Sequence, residues 1–318
     1  MNPRFSILVP CKRVDDYATE CISHCQGLQY EDFEILVSPD VRNGSDPAGV
    51  KVVPSGELGP AAKRDMMAGE ATGELLAFID NDAYPSKAWL KAAAKHFERE
   101  EVAAVVGPAV TPSSDGLLQR CSGHVYSSFM GSGSHRYRYI SGRQREVDDF
   151  PSCNFIMRKS VFKQIGGFST SYWPGEDTKL CMDITDGLKK KIVYDPDVLV
   201  YHHRRELFLP HLRQVWSYAV HRGYFAKKFR RNSLRISYFL PSLLTLGIIG
   251  GVPLSFVHPA LQWMYLASVG VYMLAVLASS LERRDLKAFP LVFLGTISTH
   301  LTYGIGFIKG LLTWDLKA

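Results

Sequence analysis

Leu75-Leu-Ala-Phe-Ile-Asp-Asn-Asp-Ala-Tyr84 runs five apolar residues straight into Asp80-Asn81-Asp82. An unbroken apolar run of that length reads as a strand buried on both faces. An ionised carboxylate is costly to desolvate unless it is paired or binds a metal, so packing alone does not place two of them at the end of such a strand. The strand instead delivers Asp80 and Asp82 to the carboxyl edge of a sheet, where open α/β sheets hold their ligands. Two hard oxygen ligands suit Mg2+ or Mn2+, with substrate phosphates completing the shell. The competing reading is a helix cap, with Asp82 or Ser86 starting the next helix.

The surrounding chain supplies the sheet. Phe5–Pro10, Phe33–Val37 and Val50–Val53 are short apolar runs that read as strands. Asp15–Leu28 has apolar residues at helical spacing, and Gly59–Thr72 reads as a helix with Pro60 at its first position. Strands alternating with helices predict an α/β fold with a doubly wound, mostly parallel sheet. Further on, Ser86–Glu98 is helical and Val102–Val106 is a strand. Pro151–Met157 is another strand, Arg158–Ile165 a helix stopped by Gly166-Gly167, and Val198–Tyr201 the last strand. Gly175-Glu176-Asp177 opens a helix running to Leu188; acidic residues there also suit the helix dipole. Between them, Thr111–Asp149 is polar, with Gly131-Ser-Gly-Ser-His135 and Arg136-Tyr-Arg-Tyr139. It reads as a surface insertion or as a loop that closes over a ligand.

Taken in order, these motifs resemble the inverting family-two glycosyltransferases of the GT-A fold. The resemblance rests on Phe5-Ser-Ile-Leu-Val-Pro10, Glu34-Ile-Leu-Val37, Ala62-Lys-Arg-Asp65, Gly73-Glu74 and Asp80-Asn-Asp82. It continues through Pro151-Ser-Cys-Asn-Phe-Ile-Met-Arg158, Gly166-Gly-Phe168 and Gly175-Glu-Asp177, and so covers nearly all of residues 4–204. It implies a nucleotide-sugar donor held by Pro10, Asp40, Arg64, Asp80 and Asn81. It implies Mn2+ or Mg2+ on Asp82 and Asp80, with His202 or its neighbour His203 completing the metal site. Asp177 would be the general base that deprotonates an acceptor hydroxyl, and Glu176 would position the acceptor or the base. Two positions depart from the family's usual pattern: Pro39 stands where it often has an acidic residue, and Asp65 where it often has Asn.

The remaining third of the chain is different in kind. From Arg204 to Arg235 there are Arg204, Arg205, Arg213, Arg222, Lys227, Lys228, Arg230, Arg231 and Arg235 against Glu206 alone. Leu207–Phe229 carries apolar residues near one helical face, which suits an anionic membrane surface. Ile236–Val257 and Pro259–Leu281 hold no charged residue and are long enough to span a bilayer. Phe289–Leu312 is a third span of weaker character, interrupted by His300, glycines and Lys309. Arg283, Arg284 and Lys287 follow the second span, so the positive-inside rule keeps both basic stretches cytosolic and His258 outside.

The chain thus divides into a GT-A domain at 1–205, a basic interfacial segment at 206–235 and a transmembrane region at 236–318. Its six cysteines have no metal spacing and read as free thiols of a reducing compartment. The N-terminus lacks a signal-peptide pattern, so the globular part is expected in the cytosol, anchored to the inner membrane. The expected reaction moves a sugar from a nucleotide-sugar to a hydroxyl of a lipid-linked glycan or polyprenyl-linked acceptor. The alternatives are a polyprenyl-phosphate glycosyltransferase, with phosphate as acceptor, and a non-catalytic membrane scaffold. Membrane lipids are expected partners, a homo-oligomer stays open, and nothing beyond net charge +6 and the Arg-Tyr repeat favours nucleic acid.

Overall fold

A computed structural model describes residues 3–42, 46–168, 170, 172, 174–282 and 285–316. The Asn43-Gly44 turn, Trp173, Arg283 and Arg284 lie outside the described residues. In chain order the elements are β1 (Phe5–Pro10), α1 (Asp16–Gln26), β2 (Phe33–Ser38), β3 (Val50–Val52), α2 (Pro60–Glu70), β4 (Leu75–Ile79), β5 (Ala83–Pro85) and α3 (Trp89–Ala94). Then come β6 (Val102–Val106), β7 (Ala109–Val110), α4 (Leu117–Ser127), α5 (Phe129–Ser132), β8 (Arg145–Val147), β9 (Asn154–Arg158), α6 (Lys159–Gln164), α7 (Glu176–Met182), β10 (Lys191–Tyr194) and β11 (Val200–His202). The chain ends in α8 (Leu209–Lys228), α9 (Arg230–Ser233), α10 (Ile236–Ser255), α11 (Pro259–Ser280) and α12 (Phe289–Leu312). The helix expected over 86–98 is a short α3 that tightens into a 3-10 turn at Lys95–Glu98. The one expected from 175 to 188 widens into a π turn at Asp183–Gly187.

Two compact units result, one of residues up to Val110 with Ile140–His203, the other of Thr111–Tyr139 with the chain from Arg204 onward. The first holds an eight-stranded sheet in the order β3-β2-β1-β4-β9-β6-β10-β8. β1 runs parallel to β2, with Phe5 opposite Phe33 and Pro10 opposite Ser38, and parallel to β4. Only β9 and β8 reverse direction against their neighbours. A second sheet joins β5, β11 and β7. Every residue of β1, β4 and β6 is buried, as unbroken apolar strands covered on both faces should be. α1 buries Ala18, Cys21, Ile22 and Cys25 on one face, and Asp15 caps it by accepting from the Ala18 N–H at 3.0 Å. Inside the core, Asn154 accepts from Trp89 Nε1 at 2.9 Å and donates to the Val198 carbonyl at 2.7 Å, which fixes the start of β9. All six cysteines are free and buried.

The second unit is helical. Cys121 and Val125 of α4 pack with Leu207, Ala288 and Val292. Residues 111–139, polar in sequence, are therefore built into a helical core through one face of α4. α8 lies against α12, where a Cβ on Gly310 would meet the Val220 carbonyl oxygen at 2.0 Å, so the two backbones nearly touch. Three helices, α10, α11 and α12, are long and apolar enough to cross a membrane. α10 and α11 leave Leu243, Leu246, Ile249, Trp263, Met264 and Leu274 exposed, a surface that suits hydrocarbon rather than water.

Candidate active site

The carboxyl edge of the parallel strands collects the acidic residues. β4 ends at Ile79, and the turn that follows is closed by the Ala83 N–H on the Asp80 carbonyl. β5 then pairs antiparallel with β11, placing His202 opposite Ala83. That register sets His202 Nε2 3.1 Å from Asp82 Oδ1. Asp80, Asp82 and His202 each offer one ligand atom, all within 4.8 Å of one another. The next residue, His203, points elsewhere and sits 2.9 Å from Glu20. Two carboxylate oxygens and an imidazole nitrogen make a donor set that fits a divalent cation such as Mn2+.

Arg64 joins this cluster to α7. It lies on α2, 2% exposed, with one guanidinium nitrogen 2.5 Å from Asp80 Oδ1 and the other 3.3 Å from Glu176 Oε1. Burial alone would lower its pKa, but the carboxylates of Asp80 and Glu176 outweigh that and raise it. Glu176 is 5% exposed, and burial pushes its carboxyl upward against the pull of Arg64. Its other oxygen accepts from the Gly175 N–H at 3.0 Å. Gly175 has φ of 120°, a conformation that L side chains rarely adopt, so glycine is needed where the chain turns into α7. Asp177, partly exposed one residue on, accepts from the Thr178 N–H at 2.8 Å. Thr178 in turn donates to the buried Asp149 at 3.0 Å, which anchors the first turn of the helix.

A second polar cluster lies at the ends of β1 and β2. Pro10 closes β1 opposite Ser38. Asp40 forms an ion pair with Lys63, a buried side chain that also donates to the Cys11 carbonyl at 2.6 Å. Asn81 occupies the turn between Asp80 and Asp82, partly exposed. Asp65 accepts from the Phe168 N–H at 2.9 Å; a Cβ on Gly167, whose φ is +75°, would meet its oxygen at 2.5 Å. Lys63, Asp149 and Asn154 escaped the sequence reading. In the structure Lys63, Arg64, Met67 and Ala68 are all buried, so the inward stripe of α2 carries two cations.

Comparison with known proteins agrees with this geometry. Residues 6–166 match the family Glycosyl transferase family 2. A pre-mycofactocin glycosyltransferase of Mycobacterium tuberculosis is 28% identical over 150 residues, 47% of this chain and 31% of that protein. The O-antigen biosynthesis protein RfbC of Myxococcus xanthus is 27% identical over 256 residues, 71% of this chain and 20% of that protein. The chain thus spans less than a third of either curated relative. Among solved structures, the mannosyltransferase PcManGT from Pyrobaculum calidifontis, in complex with GDP-Man and Mn2+, is similar over 100% of this chain and 89% of that one. Its identity is 19% and its TM-score 0.58. GalNAc-T7 with UDP, GalNAc and Mn2+ is similar over 73% of this chain and 51% of its own, at 14% identity and TM-score 0.50. The fold is GT-A, and with half of its length matched by the family the chain belongs to glycosyl transferase family 2.

Proposed function

We propose that this chain is a membrane-anchored, metal-dependent inverting glycosyltransferase. It moves a sugar from a nucleotide-sugar to a hydroxyl of a lipid-linked acceptor at the cytosolic membrane face. The observation that carries the reading is the cluster in which Asp80, Asp82 and His202 offer ligand atoms within 4.8 Å of one another and Arg64 ties Asp80 to Glu176, next to Asp177. Arg64 thus brings a donor-side and an acceptor-side carboxylate together.

In this reading Asp80, Asp82 and His202 hold the cation, and Mn2+ accompanies the nucleotide in both structural neighbours. The cation would neutralise charge on the departing diphosphate. Pro10 and Asp40 line the base and ribose pocket, with Lys63 fixing the Asp40 carboxylate. Asn81 lies against the donor from the strand-end turn. Arg64 is already committed to two carboxylates, so its part is to orient them rather than to grip the nucleotide directly. Glu176, buried against Arg64, positions Asp177. Asp177 takes the proton of the acceptor hydroxyl as that oxygen bonds to the anomeric carbon and the bond to the diphosphate oxygen breaks. Attack opposite the leaving group inverts the anomeric centre. The lipid-linked acceptor is inferred from the apolar hairpin of α10 and α11 and the basic residues before it, which also favour a cytosolic site.

Asp177→Asn tests the mechanism. It keeps the side chain's shape and removes its basicity, so transfer should fall by about 10²–10⁴-fold. Metal-dependent nucleotide binding, measured by calorimetry in detergent, should stay within about twofold, since Asp80, Asp82 and His202 are intact. Near-normal transfer by the folded variant would reject a hydroxyl acceptor and favour a phosphate, which arrives already ionised.

A further inference from the structure

By length and composition α12 is a third membrane span, but its contacts are at odds with a crossing. It starts at Phe289, a short loop after α11 ends at Ser280. Its far end is tied to Lys227, whose Nζ donates to the Thr313 carbonyl at 2.6 Å. Lys227 stands in the last turn of α8, and α10 starts soon afterwards at Ile236. In a membrane hairpin the start of α10 and the end of α11 lie on one side of the bilayer. Both ends of α12 are therefore held on that side.

The contacts along its length agree. The rings of Phe307 and Phe239 are 4.8 Å apart, and Ser242 donates to the Gly304 carbonyl at 3.1 Å. A Cβ on Gly304 would meet Thr245 Oγ1 at 2.2 Å and the Pro241 carbonyl at 2.5 Å. All four α10 residues stand in roughly its first three turns. In the middle of α12, His300 Nδ1 lies 2.9 Å from the Tyr272 hydroxyl, about two turns short of the end of α11. From there α12 returns towards the start of α10. A helix that crossed would carry Phe307 to the far side instead.

Polar helices flank the same stretch. α8 runs parallel to α12: Leu207, just before α8, meets Gly295, and within α8 His211 meets Thr299, Ala219 meets Gly306 and Val220 meets Gly310. α8 leaves Arg213, Lys227 and Lys228 exposed, and α4, packed on the start of α12, carries Arg120 and His124. A crossing α12 would drag these groups to hydrocarbon depth, where charged side chains are costly.

We propose that α12 lies in the plane of the membrane beside α8, at the boundary where α10 enters. Among the described helices α10 and α11 then cross the bilayer, and Asp315, after α12, lies on the entry side. The exposed Arg213, Lys227, Lys228, Arg230 and Arg231 of this platform face anionic lipid headgroups. The inference rests on reading α10 and α11 as spans.

Single cysteines at His258, Leu286 and Asp315 of the full chain test it, on a background whose own six cysteines are buried. A membrane-impermeant maleimide is applied to intact cells and, separately, to inverted vesicles. Asp315→Cys and Leu286→Cys should label from one side and His258→Cys from the other, each losing its label when the reagent is on the wrong side. Labelling of Asp315→Cys from the His258 side means three crossings and overturns the proposal. Labelling of all three from one side means that the hairpin does not cross, so the membrane reading fails and this inference with it. A C-terminal fluorescent protein that matures only in the cytosol gives a second readout. Fluorescence supports the in-plane helix; its loss, with His258→Cys still labelled from outside, overturns it.

Discussion

Arg64 is buried with a carboxylate on either side of its guanidinium. Taking one partner out of such a set leaves the others desolvated and unpaired, typically at a cost of about 3–5 kcal/mol. Arg64→Met should destabilise the protein by roughly that amount, read as a loss of apparent Tm. Adding Glu176→Gln to Arg64→Met should recover part of the loss, because the buried charge left behind is gone; no recovery would mean that Arg64 acts through packing alone. Asp80 and Asp82 were legible in the sequence because two carboxylates after five apolar residues have few uses in a fold. Choosing His202 over His203 was not legible. His202 ends β11 and His203 follows it, and which imidazole meets Asp82 depends on the pairing of β11 with β5, a register that one sequence does not state. Lys63 stayed hidden for a related reason: whether a helical lysine points to water or inward is set by how α2 rotates against the strands.

Helix α8 reads from its sequence as a basic surface helix, yet its other face is a polar seam. His211 is fully buried, with Nδ1 2.8 Å from Ser122 Oγ and Nε2 2.9 Å from Thr299 Oγ1, so one imidazole ties α8 to α4 and α12. Burial, with Arg204 nearby, lowers its pKa from 6.5 to about 4. In the unfolded chain the imidazole takes a proton at higher pH than in the fold, so acid favours unfolding. Its contribution is complete above about pH 6.5 and is lost towards pH 4, by about 1.4 kcal/mol per pH unit. His221, also lowered by burial, adds in the same sense. Thermal unfolding in detergent at pH 7.5 and pH 5 checks this: His211→Gln should narrow the gap between the two midpoints, and an unchanged gap would place the acid sensitivity elsewhere. The strands β1 to β4, β6, β9 and β11 and the lengths of α10 and α11 were legible because each is a mostly apolar run of fitting length, whereas the short β5, β7, β8 and β10 left no such run. α4 was not, since its apolar face is only a few residues wide and its partners lie more than eighty positions further on.

The two units interleave along the chain, and the helical one takes 111–139 out of the middle of the α/β fold. A cut after Arg205 therefore does not release a complete unit. It leaves α4 with Cys121 and Val125 stripped of Leu207, Ala288 and Val292. The 1–205 fragment should aggregate in light scattering, whereas the same fragment with a flexible linker in place of 111–139 should stay monodisperse and still bind nucleotide with Mn2+. Equal solubility of the two would show that α4 needs no cover. The overall fold was legible because its motifs appear in order, but sequence order hid the interleaving: the change in composition near Arg205 looks like a boundary and cuts across a unit.

That interleaving also sets a schedule for biosynthesis. Residues 111–139 leave the ribosome before β9, β10 and β11 exist, and well before any helix that will cover them. The α/β unit can close around its missing segment while α4 waits with Cys121 and Val125 uncovered. How long they stay uncovered is governed by the pace of translation and membrane insertion, and not by the stability of the finished protein.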